Sequence, residues 1–322
     1  MAGKILVTGA AGFIGSHLCE RLLADGHDVV AIDAFTDFYD LRIKRDNLSS
    51  LVGNDRLRLV EASLIGADFD DLLGGVEVVF HQAAQAGVRA SWGARFDEYV
   101  DCNIRATQAL CEALKGRPLK KLVYASSSSV YGETAELPMN EDHRTRPVSP
   151  YGVTKLDGEN LCLLYQRNHG LPVVCLRYFT VYGPRQRPDM AFHRFIRAAL
   201  AGGPVEVYGN GSQTRDFTYV DDIVAANLAA MDYSGDETVF NIGGGSRVTI
   251  NHVLDLIGRV TGRELDVRYA RRQHGDVTHT YADVSLAARE LGYEPRASLE
   301  AGIEKEVEWV EQIHRRLDGP TP

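Results

Sequence analysis

The most constraining stretch of the chain is residues 4–15, KILVTGAAGFIG. An apolar, strand-like run reaches Gly9, and two further glycines, Gly12 and Gly15, follow at three-residue spacing where a helical pattern begins. This order predicts a strand, a tight turn and a helix N-terminus, whose backbone N–H groups and partial positive charge suit a pyrophosphate. Gly9 would allow the turn, Gly12 would leave room for the phosphates, and Gly15 would let the helix pack closely. The glycines alone leave open a turn that only packs.

A carboxylate supplies the second feature of a dinucleotide site. Residues 27–33, HDVVAID, are typical of a second strand, and Asp33 at its end lies 18 residues after Gly15. A carboxylate at this place accepts hydrogen bonds from the adenosine ribose and repels a 2′-phosphate. The sequence therefore favours NAD over NADP, and this preference is weakened by the basic residues of the following loop, Arg42, Lys44 and Arg45.

The bulk properties limit the class of protein. The 322 residues suffice for one large domain and a second lobe, and the net charge of −9 argues against general binding to nucleic acid or anionic membranes. The sequence contains no apolar stretch long enough for a membrane span and no metal-binding pattern, so we expect neither. Five scattered cysteines and an N-terminus without a secretory signal predict free thiols and a cytoplasmic location.

Strands and helices alternate through about residue 178, which predicts an α/β fold with a doubly wound parallel sheet. Beyond Gly183-Pro184 this rhythm breaks, and shorter elements predict a smaller α/β C-terminal substrate lobe. We therefore predict a nucleotide-binding domain over residues 1–178, with a return to its sheet at about 215–242, and a lobe over residues 179–322. Ligands of such sheets bind beyond the carboxyl ends of the strands.

A tyrosine and a lysine are the candidate proton-transfer pair. Tyr151 and Lys155 stand four residues apart, which places them on one face of a predicted helix. The lysine would lower the pKa of the tyrosine, and a tyrosinate is a usable general base for an alcohol proton. The serine run 126–129 ends the neighbouring strand and offers hydroxyls that hold the substrate oxygen. Alone, Tyr151 could be a packing aromatic after Pro150, but beside a dinucleotide turn the catalytic interpretation is favoured.

These motifs, together with Arg215-Asp216-Phe217 and Gly275-Asp276-Val277, resemble those of the extended short-chain dehydrogenase/reductase family over nearly the whole chain. The resemblance lies among its NAD-dependent nucleotide-sugar epimerases, dehydratases and decarboxylases. It implies a Rossmann-type domain, a sugar-nucleotide lobe and a tightly held NAD. It also implies these cofactor-binding residues: Gly9, Gly12, Phe13, Ile14, Gly15, Asp33, Ser63, Leu64, Gln82, Ala83, Ala84, Asn103, Tyr151, Lys155 and Tyr178.

The same resemblance implies roles for residues on the substrate side and a homodimer. Ser127 would be the catalytic hydroxyl nearest the sugar O4, Arg215 a diphosphate ligand, and Asp276 a ligand of the uridine ribose. A homodimer would form through the helices at about 96–114 and 151–168, although the apolar stripe on the first of these fits packing against the sheet equally well. The full set of implied substrate-binding residues is Arg89, Ser127, Ser128, Ser129, Thr180, Arg185, Val207, Tyr208, Arg215 and Asp276.

Particular positions narrow the resemblance further. Family dehydratases carry an Asp-Glu pair where Ser128 and Ser129 stand here, and the decarboxylases carry Glu at the second of these positions, so two serines favour epimerisation alone. Residues 35–47 and 179–191 are similar to the UDP-glucuronate 4-epimerases. Two substitutions point the same way, since Thr180 and Gln273 replace the Asn and Arg that are usual in glucose/galactose epimerases. In contrast, Ser63-Leu64 replaces an Asp-Leu or Asp-Ile pair, which predicts weaker adenine binding.

The expected activity is therefore NAD-dependent inversion of C4 of UDP-glucuronate to UDP-galacturonate through a transient 4-keto sugar, with Tyr151 as base. That intermediate is a β-keto acid, which loses CO2 if its carboxylate bond aligns with the carbonyl. Arg185, Thr180 and the serines 127–129, and less strongly Arg89, are the candidates to hold the carboxylate out of alignment. The alternatives are a UDP-glucose/UDP-galactose 4-epimerase, a UDP-glucuronate decarboxylase, a sugar-nucleotide dehydratase and an NAD-binding regulatory protein.

Overall fold

In the computed structural model, residues 3–134 and 136–318 are described. Within them the strands, numbered in chain order, are β1 (Lys4–Thr8), β2 (Asp28–Asp33), β3 (Leu57–Glu61), β4 (Val76–His81), β5 (Lys121–Ser127), β6 (Val173–Tyr178), β7 (Val181–Tyr182), β8 (Val205–Tyr208), β9 (Thr214–Asp216), β10 (Thr218–Tyr219), β11 (Val239–Ile242), β12 (Arg247–Thr249) and β13 (Val267–Ala270). The helices are α1 (Phe13–Ala24), α2 (Leu41–Ser49), α3 (Phe69–Leu73), α4 (Phe96–Tyr99), α5 (Ala106–Leu114), α6 (Pro150–His169), α7 (Ala191–Ala201), α8 (Val220–Asp232), α9 (Ile250–Thr261), α10 (Ser285–Leu291) and α11 (Leu299–Asp318).

The main sheet has seven strands in the order β11-β6-β5-β4-β1-β2-β3. All its neighbouring strands pair in parallel. From β1 the chain builds outward on one side to β3, then returns to β4 and builds outward on the other side. This reversal creates a crevice beyond the carboxyl ends of β1 and β4, where ligands of doubly wound sheets bind. The predicted α/β fold with a doubly wound, Rossmann-type sheet is confirmed.

Residue alternation along the strands explains the layered core. In β1, Ile5 and Val7 face one hydrophobic cluster and Leu6 faces another, because successive strand side chains point to opposite faces. The first cluster includes Leu18 and Leu22 of α1, and the second includes residues of α5 and α6. Helices thus cover both faces of the sheet, which leaves its carboxyl edge as the open end.

The predicted helix over residues 96–114 is divided in the structure. Between α4 and α5 the segment Val100–Arg105 is a π-helix, and the whole stretch packs beside α6. Tyr99, Ala106 and Leu110 of the apolar stripe are buried, and Ala106 and Leu110 belong to the cluster on the sheet. Part of this stripe therefore packs against the sheet, whereas its other residues, Cys102, Ala109 and Ala113, are only partly buried.

The C-terminal part of the chain builds a smaller α/β region and also completes the main sheet. The pairs β7/β10, β9/β12 and β8/β13 are short two-stranded sheets, and α7, α9 and α11 contact one another. Strand β11 pairs with β6 at the edge of the main sheet. Across residues 3–134 and 136–318, no helix combines the length and the apolar character that crossing a bilayer requires.

Candidate active site

The turn after β1 has the geometry that its glycines predict. Gly9 has a φ of +67°, and a Cβ there would lie 2.8 Å from the backbone of Ala83. A Cβ on Gly15 would collide with the Gly9 carbonyl oxygen, whereas a Cβ on Gly12 would meet that oxygen at 3.1 Å. The turn is therefore closed toward β4 and toward α1, and its helix N-terminus suits a diphosphate. Phe13 is buried and Ile14 partly buried in the first turn of α1.

Asp33 ends β2 beside this turn. Its carboxylate accepts hydrogen bonds from the N–H groups of Ala11 (3.0 Å) and Phe35 (2.8 Å). Each carboxylate oxygen accepts more than one hydrogen bond, so acceptor capacity remains for a ribose. Lys44 is buried, with its Nζ 3.8 Å from Asp33 Oδ1. One of the basic residues expected to weaken the NAD preference is therefore paired with the carboxylate itself, and the site fits NAD.

The predicted adenine contacts follow β3. Ser63 Oγ accepts a hydrogen bond from the N–H of Ile65 at 3.1 Å, so the hydroxyl closes its own turn and keeps its O–H as a donor. Leu64 is buried in the hydrophobic cluster on one face of the sheet. The leucine thus supports the edge of the site, and the serine presents the polar group there.

The segment after β4 is anchored to the sheet and to the cofactor turn. Gln82 Nε2 donates to the hydroxyl of Tyr178 and to Asn227 Oδ1, both at 3.1 Å. The Ala83 N–H donates to Thr8 Oγ1 at 3.0 Å. Tyr178 at the end of β6 is thereby joined to Gln82 at the end of β4, so these two predicted cofactor residues lie on the same edge of the sheet.

Asn103 acts on this segment from the π-helix. Its amide hydrogens go to the Gln85 carbonyl (3.0 Å) and to Thr154 Oγ1 (2.9 Å), and its Oδ1 accepts the Gln85 N–H at 2.7 Å. The predicted cofactor residue Asn103 therefore joins the segment that contains Ala84 to α6. Both of its donors are used within the protein.

The start of α6 positions the predicted proton-transfer pair, Tyr151 and Lys155. Ser149 caps the helix by accepting the Gly152 N–H at 3.1 Å, and Pro150 occupies the first turn, where it is well tolerated. The hydroxyl of Tyr151 hydrogen-bonds the side chain of Ser127 at the end of β5. Lys155 follows one turn later and is buried. The structure thus brings the predicted Tyr151, Ser127 and Lys155 to one place.

The serines of the run have different partners. Ser126 Oγ donates to Glu159 Oε2 at 2.5 Å behind the strand end. Ser127 Oγ accepts the Ser129 N–H at 3.2 Å and also bonds Tyr151. Ser128 and Ser129 are partly buried on the short 3₁₀ helix Ser128–Val130. Ser126 is thereby committed to the interior, and Ser127 is the serine that contacts the tyrosine.

The electrostatics of Tyr151 differ from the expectation that Lys155 lowers its pKa. Burial raises the pKa of Tyr151, while the hydrogen bond with Ser127 and the charge of Arg187 lower it. Burial lowers the pKa of Lys155 to about 8, and its Nζ lies 4.6 Å from the centre of the Tyr124 ring. The cation that acts on the phenol in this structure is therefore Arg187.

Arg187, whose charge acts on Tyr151, forms an ion pair with Asp189. Its guanidinium donates to both carboxylate oxygens of Asp189, at 3.0 and 2.9 Å. A Cβ built on Gly87 would lie 3.6 Å from Asp189 Oδ2 and 3.6 Å from the hydroxyl of Tyr99. The Tyr99 ring in turn packs edge-on against the Tyr151 ring, with centroids 6.3 Å apart. Arg187 lies within residues 179–191, which resemble the UDP-glucuronate 4-epimerases, but the sequence alone did not indicate it as a site residue.

Arg185, which the sequence analysis did select, makes its contacts elsewhere. It adopts a φ of +67°, an uncommon conformation for a residue with a Cβ. Its guanidinium donates to Glu20 at 2.8 Å and lies 3.5 Å from Ser16 Oγ, so its partners are on α1. Thr180 is partly buried, and its carbonyl accepts the Thr218 N–H at 2.9 Å.

An arginine cluster marks the predicted diphosphate end of the crevice. Arg215 donates to the carbonyls of Thr214, Val277 and Thr278 at 2.8–3.1 Å. Arg89 pairs with Asp276 at 3.0 Å, and its guanidinium lies 4.3 Å from the centre of the Tyr208 ring. Four predicted substrate residues are thus brought together: Arg89, Tyr208, Arg215 and Asp276.

Two further observations refine that end of the site. Arg272, which the sequence analysis passed over, donates to the Asp276 carbonyl and to Thr278 Oγ1, both at 2.7 Å. It supplies a cation next to Gln273, where the glucose/galactose epimerases usually carry one. Val207 is buried in the core because β8 alternates inward and outward side chains, so the side chain predicted to bind substrate packs inside instead.

Comparison with known proteins agrees with this geometry. The model of the NAD dependent epimerase/dehydratase family matches residues 5–243. An uncharacterized UDP-glucose epimerase, YtcB, of Bacillus subtilis is 45% identical, with 97% of this chain and 99% of the relative covered. A UDP-glucuronate 4-epimerase of Thermodesulfobacterium geofontis is 38% identical, covering 96% of this chain and 97% of the relative.

Solved structures give the same result. The crystal structure of a UDP-glucuronic acid 4-epimerase from Bacillus cereus, in complex with UDP-glucuronic acid and NAD, superposes with a TM-score of 0.94. It is 44% identical, with 96% of this chain and 99% of that chain covered.

A dinucleotide turn, a carboxylate at the end of β2 and a tyrosine–lysine–serine centre at the same sheet edge define an NAD-dependent enzyme that acts on an alcohol carbon. The chain belongs to the NAD dependent epimerase/dehydratase family of the extended short-chain dehydrogenases/reductases.

Proposed function

We propose that this protein inverts C4 of UDP-glucuronate and so forms UDP-galacturonate. The observation that carries the proposal is the Tyr151–Ser127 hydrogen bond, with Arg187 beside it and no carboxylic acid at positions 128 and 129. The missing acids argue against dehydration and decarboxylation, and the cation suits an acidic sugar. The Thermodesulfobacterium and Bacillus cereus epimerases, which are similar over nearly the whole chain, support the same assignment.

In the proposed mechanism, side chains of the protein remove one proton from the sugar O4 and later return it. Tyr151 Oη takes the C4 hydroxyl proton, directly or through Ser127 Oγ, which holds the substrate oxygen. Arg187 stabilises the phenolate that results. NAD, held by the glycine turn and Asp33, supplies the capacity to take the C4 hydride and to return it. Tyr151 gives its proton back to O4 after the 4-keto sugar has turned its other face to the cofactor.

The arginine cluster would hold the pivot for this rotation. Arg215, Arg89 and Arg272 offer guanidinium groups to the diphosphate, and Asp276 offers a carboxylate to a ribose hydroxyl. With its ends fixed in this way, the sugar turns about its link to the diphosphate. We also assign the sugar-nucleotide lobe to residues 179–322 and the NAD-binding domain to residues 1–178, with a return at about 215–242.

A glucuronyl substrate adds one requirement, which is retention of its carboxylate in the β-keto acid state. Thr180 and the serines at 127–129 remain candidates to hold this group. To them we add Arg187, because its charge already acts on Tyr151, whereas Arg185 donates to Glu20 on α1. A guanidinium binds a carboxylate in a fixed plane, which suits a site that must prevent decarboxylation.

Conversion of UDP-glucuronate followed by proton NMR tests the proposal. We expect UDP-galacturonate to accumulate with catalytic NAD and without net NADH formation. Release of CO2 with a UDP-pentose as the main product would contradict it. The second candidate is a UDP-glucose/UDP-galactose 4-epimerase, which the similarity to the Bacillus subtilis YtcB protein favours. A higher kcat/KM for UDP-glucose than for UDP-glucuronate in the same assay would establish that alternative.

We further propose a homodimer through the helices at about 96–114 and 151–168. Val153 and Leu164 of α6 are 41% and 54% exposed and are three helical turns apart, so they lie on one face. Phe96 and Trp92 are also exposed, and with Val148 and Val153 they line a groove of about 670 Å³. Apolar surface of this extent on two adjacent elements is typical of a protein interface, and a second copy of the chain is the occupant we propose.

The dimer predicts a clear effect of one surface change. Leu164→Glu should place a charge in the apolar contact and convert the protein to a monomer, measured by light scattering coupled to size-exclusion chromatography. Val52→Glu is the matched control, because Val52 is 68% exposed and lies outside both helices. A monomeric wild-type protein, or a dimer that tolerates Leu164→Glu, would contradict this interface.

We place the protein in the cytoplasm. All five cysteines are free, and four of them are buried, which supports a reducing compartment. Immunodetection in fractionated cells would test this location, and recovery with secreted proteins would contradict it.

A further inference from the structure

The starting observation is a buried carboxyl group that the proposed reaction does not use. Glu306 lies on α11 and is 0% exposed. Its Oε2 accepts the backbone N–H of Gly183 at 2.7 Å, although the two residues are 123 positions apart in sequence. Its Oε1 has no hydrogen-bond partner within the described part of the chain. Burying a carboxyl group with an unpaired oxygen is unfavourable, so we expect the contact of Glu306 with Gly183 to have a role in the protein.

The same face of α11 holds the segment next to Gly183. Gly302 and Glu306 stand four residues apart on one face of α11, and Ser298 stands four residues before Gly302, directly ahead of the helix. The hydroxyl of Tyr182 donates to the Ser298 carbonyl at 3.3 Å, and a Cβ on Gly302 would lie 2.5 Å from that hydroxyl. The helix thus contacts both the side chain of Tyr182 and the backbone of Gly183.

Gly183 itself has little freedom to move. Its φ is +129°, and a Cβ there would lie 3.0 Å from both Tyr219 and Val220. Its carbonyl accepts the Gln186 N–H at 3.1 Å, which begins the turn that leads to Arg187. The backbone of Gly183 is therefore held at its N–H by Glu306 and at its carbonyl by Gln186.

The segment held in this way carries groups of the sugar site. Thr180 precedes Gly183 by three residues, and Arg187 follows it by four. The charge of Arg187 acts on Tyr151, and its partner Asp189 lies with Tyr99 beside Gly87. A shift of the Gly183 peptide would consequently move the cation that acts on Tyr151.

We propose that Glu306 is a positioning residue for the epimerase reaction, which fixes the segment 180–187 by accepting the Gly183 N–H and thereby holds Arg187 at Tyr151. The inference rests on the proposed function. The carboxyl group works as a neutral acceptor, since burial raises its pKa well above the usual range. A glutamine amide presents an oxygen in the same place, so Glu306→Gln is the conservative variant and Glu306→Met removes the acceptor while keeping the volume.

The first experiment compares pH profiles of kcat for UDP-glucuronate. Glu306→Gln should stay within about twofold of the wild type. Glu306→Met should lower kcat at neutral pH by about tenfold and move the acid limb of the profile to higher pH, because Arg187 no longer lowers the pKa of Tyr151. Glu304→Met is the matched control on an exposed position of the same helix and should leave the profile unchanged. A wild-type acid limb in Glu306→Met would overturn the inference.

A double-mutant cycle tests whether Glu306 acts through Arg187. If it does, adding Glu306→Met to Arg187→Met should cost little beyond Arg187→Met alone. Full additivity would mean that α11 affects activity by another route, and the inference would fail. Should Glu306→Met not fold, Gly302→Ala presses on Tyr182 from the same face and should give the same acid-limb shift. A folded Gly302→Ala protein with a wild-type profile would then overturn the inference.

The outcomes separate this inference from the proposed function. If the wild type makes no UDP-galacturonate, the function is refuted. If the wild type makes it and the Glu306 variants share its profile, only the positioning role is refuted.

Discussion

Replacement of Tyr151 by phenylalanine is expected to reduce kcat for UDP-glucuronate by about 10²- to 10⁴-fold while NAD binding is retained. The variant keeps the ring that packs edge-on against Tyr99 but loses the hydroxyl that bonds Ser127. The variant therefore lacks the base that we assign to the C4 hydroxyl proton. Proton NMR of the sugar product measures turnover, and the change in protein fluorescence on titration with NAD measures cofactor binding.

Tyr99→Phe is the matched control for this variant. Tyr99 also loses a hydroxyl, but that hydroxyl donates to the carbonyl of Gly87 at 2.8 Å rather than to Ser127. We expect its kcat to remain within about tenfold of the wild type, since one neutral hydrogen bond contributes only modestly. If Tyr151→Phe turned over at the wild-type rate, Tyr151 would not be the base.

Arg187→Met is expected to have the second largest effect, a fall in kcat of about 10- to 100-fold at pH 7. The charge of Arg187 lowers the pKa of Tyr151, so its removal raises that pKa and reduces the fraction of tyrosinate at neutral pH. The acid limb of the kcat profile should therefore move to higher pH, and part of the loss should be recovered in alkaline buffer. The measurement is a pH–rate profile with UDP-glucuronate and with UDP-glucose.

The two substrates and a matched variant separate the roles of Arg187. If the guanidinium also holds the sugar carboxylate, UDP-glucuronate should lose more kcat/KM than UDP-glucose, and CO2 release should rise. Arg185→Met removes the same group two residues away, where the guanidinium donates to Glu20 on α1, and should have a smaller effect on the acid limb. A larger shift in Arg185→Met than in Arg187→Met would reverse our assignment of the two arginines.

The sequence was most informative where function depends on local spacing. The turn of Gly9, Gly12 and Gly15 lies within one strand–helix unit, and Asp33 ends the next strand of the same unit. Tyr151 and Lys155 are fixed relative to one another by a single helix. In each case a few consecutive backbone conformations determine the geometry, so the residue pattern alone was sufficient to predict it.

The sequence was less informative where the conformation of a loop or a buried contact determines which groups lie together. Arg185 and Arg187 are the same residue type two positions apart, and the sequence does not distinguish their roles. In the structure, Arg185 has a positive φ and contacts α1. Arg187 instead pairs with Asp189, near Tyr99 and Tyr151. The apolar stripe over 96–114 admitted two kinds of packing, and only the structure shows that Ala106 and Leu110 pack against the sheet. Similarly, Arg272 lies in the arginine cluster because Asp276, whose carbonyl accepts its hydrogen bond, also pairs with Arg89, which is 187 positions away in sequence.

From the sequence alone, the first strand and its glycine turn, taken together with Asp33, predicted an α/β fold that binds NAD, and Tyr151 and Lys155 predicted chemistry at an alcohol. Only the tertiary structure decided which cation acts on the base and what holds that cation in place. The physical reason is that local backbone geometry follows from neighbouring residues, whereas the direction of a loop side chain is set by contacts such as Glu306 with Gly183, which join residues 123 positions apart.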